Sequence, residues 1–232
     1  MSLSNDWRRV FPYEETGKVV DLVQQTWDWL VASNVPRFNP NSPEPHLTKF
    51  LRSVLKTKQA GTGLTGHFSA EEFDADADLL TGSLNNRGRT DIRYFSDRIN
   101  IDLTFEFKKL KAKSDSRLSY YGEEGMLRFV DGKYSRDRHL GFMVGLVAQE
   151  PDKCIKALKG AICVPDVAAQ LHLVKVADGL HVREPSRELP GKVRFDTEHS
   201  RTTLGDQPDI VLCHLFLLYG DAVAEEKSSP AI

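Results

Sequence analysis

The stretch INIDLTFEFKKLKAK, Ile99 to Lys113, decides how this chain is read. Its odd positions are Ile101, Leu103, Phe105 and Phe107; its even positions are Asn100, Asp102, Thr104, Glu106 and Lys108. Strict alternation of this kind predicts a strand with one apolar and one polar face. Glu106 and Lys108 therefore point the same way, and Phe107 points into the core. Upstream lies GRTDIRYF, Gly88 to Phe95, followed by a turn at Ser96-Asp97-Arg98. The pair reads as a hairpin that brings Asp91 beside Glu106, with the Lys108 ammonium next to both. Two carboxylates and a lysine on adjacent strands suit metal-assisted phosphodiester hydrolysis. Magnesium takes oxygen ligands and keeps several waters, so one or two carboxylates and a substrate phosphate suffice. The metal lowers the pKa of a bound water, and a neighbouring lysine orients that water and offsets developing charge.

Asp91 followed by Glu106-Phe107-Lys108 resembles the PD-(D/E)xK signature of restriction-endonuclease-like nucleases, over roughly Glu44 to Glu150. The resemblance implies that Asp91 and Glu106 bind Mg2+ (or Mn2+) and that Lys108 assists the nucleophilic water. One position departs: Thr90 stands where the family has proline. The family often adds an acid from a helix preceding the motif. Glu44, which opens a predicted helix over 44–58, is the candidate for it, with Glu71 and Glu72 as rivals. A helix after the Glu-x-Lys strand often lends polar side chains, which implies roles for Tyr121, Glu124 and Arg128 in a predicted helix over 120–130.

The residues alone admit a plainer reading. A strand face carrying Asp, Thr, Glu and Lys is commonly a solvated face with cross-strand ion pairs. Likewise Glu124 and Arg128 form a simple intrahelical pair in one reading, worth little by itself. Lys109, Lys111, Lys113 and Arg117 make the densest positive segment, either a phosphate-binding rim or a loop kept soluble by lysines. His199 and Arg201 are a second candidate for phosphate contact. His214, inside an apolar strand, reads as a satisfied core histidine.

The rest of the chain supplies the frame. Glu14 to Ala32 reads as an amphipathic helix, 33–45 as a linker, and 60–66 as a glycine-rich connection without the Lys-Ser/Thr ending of a phosphate loop. Residues 68–84 read as a strand or loop, and 85–88 as a turn. A buried strand over 139–149, a helix from Asp152, short strands over 171–176, 181–184 and 193–195, and a central strand over 210–218 complete the pattern. With 232 residues, 40% hydrophobic and 28% charged, the composition is that of an ordinary globular protein. A net charge of −2 excludes a global pull toward polyanions, so a nucleic-acid partner needs a local basic surface. Cys154, Cys163 and Cys213 fit no zinc pattern and point to a reducing compartment. The longest apolar run, Ile210 to Tyr219, is too short to span a bilayer.

The expectation is an α/β (or α+β) single domain, a restriction-endonuclease-like mixed sheet of five or six strands flanked by helices. It divides into an N-terminal helical segment (1–40), a nuclease domain (41–220) and a disordered tail (221–232). The expected activity is that of a cytoplasmic, metal-dependent nuclease, with DNA favoured by resemblance and no membrane partner. By the same resemblance it works in bacterial defence or mobile-element systems, as a homodimer or with partner proteins. The alternative is a restriction-like domain without catalysis that binds nucleic acid or serves in assembly.

Overall fold

The computed structural model describes residues 6–69, 73–78, 83–89, 91–176, 180–205 and 207–219. In chain order the elements are α1 (Trp7–Val10), α2 (Tyr13–Ala32), α3 (Glu44–Lys58), β1 (His67–Ser69), β2 (Phe73–Asp78), β3 (Ser83–Arg89), β4 (Ile92–Ser96), β5 (Ile101–Leu110), α4 (Ser114–Tyr121), α5 (Met126–Val130), β6 (Leu140–Val147), α6 (Pro151–Ile162), α7 (Pro165–Gln170), β7 (Phe195–His199) and β8 (Ile210–Leu218). Six strands form one mixed sheet in the order β1-β4-β5-β6-β8-β7, and β2 and β3 pair as a separate hairpin. The hairpin β4–β5 is antiparallel, with Ile92 opposite Phe105 and Ser96 opposite Ile101. It turns through a 3-10 segment at Asp97–Ile99 and a left-handed Asn100 (φ 49°), a conformation asparagine tolerates better than most residues. β5–β6 and β6–β8 are parallel, while β7 returns antiparallel to β8.

The alternation in β5 sorts its side chains between two cores. Ile101, Leu103, Phe105 and Phe107 pack with α2 and α3 residues such as Val19, Val23, Trp27, Leu47 and Leu51. Phe105 stacks on Phe142 of β6 with centroids 4.4 Å apart. Burying each such ring is worth about 1.5–3 kcal/mol. On the other face, Leu110, Met143, Val147 and Leu212 pack with Tyr120, Met126, Phe129 and Leu158 of the later helices. β6 is buried throughout, as a strand covered on both faces must be. α2 belongs to the same core as the sheet. Its Glu15 accepts from the Tyr94 hydroxyl (2.5 Å) and the Thr65 amide (2.7 Å), pinning the helix to β4. The N-terminal helical segment (1–40) thus packs into the same core as the sheet.

Several sequence expectations change. The single helix over 120–130 is two helices, α4 and α5, broken at Gly122 to Gly125. A Cβ on Gly125 would stand 1.9 Å from the Tyr120 carbonyl oxygen, so the chain can make this turn only with glycine there. The turn expected at 85–88 lies inside β3. Of the strands expected over 171–176 and 181–184, single bridges remain, Leu173 to His199 and Arg183 to Asp196. The Asp178-Gly179 turn, Glu71, Glu72, Thr90 and the tail 221–232 lie outside the described residues. Among the described residues no helix is long and apolar enough to cross a membrane.

Candidate active site

The site begins where β4 stops. β4 pairs with β5 only as far as Ile92 opposite Phe105. The next amides on that edge of β5, at Phe107 and Lys109, point outward two residues apart, about 6.6 Å along a strand. Each takes a carboxylate. Phe107 N–H donates to Asp91 Oδ2 at 2.9 Å, and Lys109 N–H donates to Glu44 Oε2 at 2.7 Å. Asp91 is the residue before β4, and Glu44 is the first residue of α3. A strand edge thus lines up two carboxylates from distant parts of the chain, and β5 itself supplies Glu106 and Lys108 between them.

The polar face of β5 is covered rather than wet. Thr104 is 4% exposed and Glu106 1%, because α4 packs on β5 and Arg128 of α5 reaches Glu106. Lys108 Nζ donates to Glu106 Oε1 at 2.6 Å and lies 3.4 Å from Glu44 Oε1. Arg128 Nη1 lies 3.9 Å from the same Glu106 oxygen, and the guanidinium also donates to the Tyr134 hydroxyl and to Glu124. Glu106 Oε2 is buried with no hydrogen-bond partner.

The electrostatics follow. Burial, reinforced by Asp91, outweighs Lys108 and pushes the Glu106 carboxyl up to about 8. Burial also raises Asp91, against the pull of the Phe107 amide and Lys108. Burial alone would lower the Lys108 ammonium, but Glu106, Glu44 and Asp91 together raise it, so it stays charged. Burial thus favours the neutral acid at Glu106 more than Lys108 and Arg128 favour its charged form. An orphaned, buried carboxylate oxygen beside a second carboxylate fits a hard cation with oxygen ligands. Among the described residues no group of three or more His, Cys, Asp or Glu side chains is placed to hold a metal. The oxygen donors that face each other here are the carboxylates of Asp91 and Glu106.

Of the residues singled out in the sequence, Asp91, Glu106, Lys108, Glu44, Arg128 and Glu124 come together. Glu44 does so through the lysine and the edge of β5. Its two oxygens face Lys108 and the Lys109 amide, so in this structure it anchors the lysine. Lys109 Nζ turns away to the Pro40 carbonyl (2.6 Å), and Lys111 is exposed. Tyr121 packs at the margin of the second core. His199 and Arg201 are corrected outright, because both are completely buried. Arg201 donates to the carbonyls of Ser135, Arg136 and Phe129, where it ties a loop instead of meeting solvent. His199 Nδ1 lies 2.7 Å from the Leu171 carbonyl and so carries the proton. Its Nε2 then accepts from Thr197 (2.7 Å), which accepts from His214 Nε2 (2.9 Å). His214 Nδ1 in turn accepts from Tyr120 (3.0 Å). His214 is the satisfied core histidine expected. Tyr134 was missed: it is buried and grips Arg128, but its place after the Asp131-Gly132 turn gives no periodic signal in the sequence.

No family model matches the chain, and no curated protein or solved structure is similar to it beyond chance.

Proposed function

We propose that this chain is a metal-dependent nuclease of the PD-(D/E)xK kind, built on a restriction-endonuclease-like core and hydrolysing phosphodiester bonds, with DNA the favoured substrate. The observation that carries the reading is Glu106. A carboxylate buried to 1% exposure, with one oxygen lacking any partner and a second carboxylate beside it, is costly as packing and useful as a ligand. Asp91 and Glu106 would hold Mg2+ or Mn2+. When bound, the ion supplies an activated water and offsets charge on the phosphate. Lys108, kept an ammonium by its carboxylate neighbours, orients the attacking water and stabilises the charge that grows on the phosphate oxygens. Glu44 fixes the lysine. A role in bacterial defence or a mobile element, with a homodimer or partner subunits, rests on analogy with the family.

A second reading is favoured by the 2.6 Å Lys108–Glu106 contact, which closes the pair on itself. In it the domain binds nucleic acid or partners without cutting. The two separate in a cleavage assay on plasmid, single-stranded DNA and RNA with magnesium, manganese or chelator. The nuclease reading expects activity that chelator abolishes, and that falls at least about a hundredfold in Asp91→Ala and in Lys108→Ala while both stay folded. Activity persisting in Asp91→Ala removes the assignment. Nucleic acid bound but never cut selects the second reading.

A further inference from the structure

Two stretches of the chain concentrate positive charge. Residues 45–58 of α3 hold four cations, Lys49, Arg52, Lys56 and Lys58, and no acid. Residues 108–113, at the end of β5, hold four lysines and no acid. In a chain of net charge −2 this is a local excess. The stretches adjoin, because Glu44 at the head of α3 accepts from the Lys109 amide and the Lys109 ammonium donates to the Pro40 carbonyl. α3 buries Leu47, Thr48, Leu51 and Leu55. Lys49, Arg52 and Lys56, spaced by three and four residues, share the solvent side of the helix, with Lys49 and Lys56 exposed and Arg52 half-buried. Among the described residues neither Arg52 nor Lys56 has an acidic partner, and Arg52 Nε is buried without a hydrogen bond. Past Lys56 the face opens into a hollow of about 680 Å³ lined by Gln59, Gly61, Gly63 and His67. Nothing stands within 4 Å of where a Cβ on Gly61 or Gly63 would lie, so a bulky chain meets no obstacle there.

We infer that the solvent face of α3 is a docking track for the sugar-phosphate backbone of double-stranded DNA, with Arg52 and Lys56 each meeting a phosphate. The choice of DNA rests on the nuclease reading, but the track needs neither a bound metal nor cleavage. Cations without acidic partners give up no ion pair when a phosphate arrives, and each contact releases counterions from the polyanion. The guanidinium fork also matches a phosphate in a bidentate manner. The face favours a duplex over a single strand, because single strands are gripped by basic residues together with aromatic rings on which bases stack. The one phenyl ring of α3, Phe50, packs against the first core, so the face offers phosphate contacts and no platform for bases. Lys56 lies twelve residues beyond Glu44, about 18 Å along the helix. That is the axial length of about five base pairs, so the track holds the flank of a duplex whose nearer part reaches the carboxylates.

The test is binding of a labelled duplex of about 20 base pairs to the full chain in chelator, read by fluorescence anisotropy at about 50–200 mM salt. Plasmid cleavage in magnesium is measured alongside. Lys56→Gln is expected to weaken binding about threefold, and Arg52→Gln combined with Lys56→Gln about tenfold or more, with the salt slope of log affinity lower by about 2 in the double variant. Lys153→Gln, which removes an exposed lysine of α6, keeps wild-type affinity, and a single strand of the same length binds more weakly than the duplex. Wild-type affinity and slope in the double variant overturn the inference. So do an equal loss in Lys153→Gln, a single strand held as tightly as the duplex, or a wild-type chain that binds no duplex. Lys56→Gln, an exposed change, decides alone if the double variant does not fold. A duplex held through Arg52 and Lys56 but never cut keeps the inference and removes the nuclease reading. Cleavage that depends on Asp91, with binding indifferent to Arg52 and Lys56, does the reverse.

Discussion

Glu106 carries an energetic cost that shows in its pH dependence. In the unfolded chain its carboxyl ionises near 4.5; in the fold it does so only at about 8. Between those values the unfolded state has released a proton that the native state keeps, so this residue lowers stability as pH rises from about 4.5 to 8. Glu106→Gln removes that penalty. Thermal melts at pH 8 are expected to show the variant more stable by about 2–4 kcal/mol, after allowing for the lost pair with Lys108, with the gain vanishing near pH 4.5. A variant no more stable than wild type at pH 8 would mean that Lys108 fully compensates the buried charge. His199 works in the opposite sense. Its folded pKa is lowered to about 4 by burial, so its contribution is complete above about 6.5 and is lost as pH falls toward 4. In the Glu106→Gln protein this acid limb should stand clear, as a melting temperature that falls steadily below pH 6.5.

At the scale of elements, the placing of the site follows from one mismatch of length. β5 has ten residues and β4 five, so β5 outruns its partner and its bare amides collect Asp91 and Glu44. The second determinant is the break between α4 and α5, which brings Arg128 over the strand. Gly125→Ala puts a Cβ within contact of the Tyr120 carbonyl, and the expected loss is about 1–3 kcal/mol or more. Denaturant melts would show it, and the variant should also lose cleavage as Arg128 shifts. Full stability in Gly125→Ala would mean that the break is not set by this glycine. The strand and its polar face were legible in the sequence because a period of two is unambiguous over Ile101 to Lys108. That the face would be buried was not legible, since the covering helices are assembled by a turn that a helical pattern over 120–130 conceals. Glu44 was found because it opens a helix, but its bond to the Lys109 amide depends on where β4 ends, and hairpin lengths are poorly marked by local residue types.

At the scale of the molecule, one six-stranded sheet separates two apolar cores and turns its middle strands inward. The buried runs of β6 and β8 were legible as central strands, because length and unbroken apolarity leave few other places for them. His199 and Arg201 were misplaced for the converse reason. Polar residues near a predicted loop look solvent-facing, while here a chain of hydrogen bonds from Leu171 through Thr197 to Tyr120 satisfies the histidine inside the core. The arginine spends its donors on carbonyls. Against this frame, the metal proposed at Asp91 and Glu106 is the central claim to be tested. A crystal soaked with Mn2+ and measured at the manganese absorption edge tests that claim most directly. An anomalous peak between the carboxylates of Asp91 and Glu106 is the predicted result; a map with no peak there, or with manganese bound only elsewhere on the surface, would contradict it.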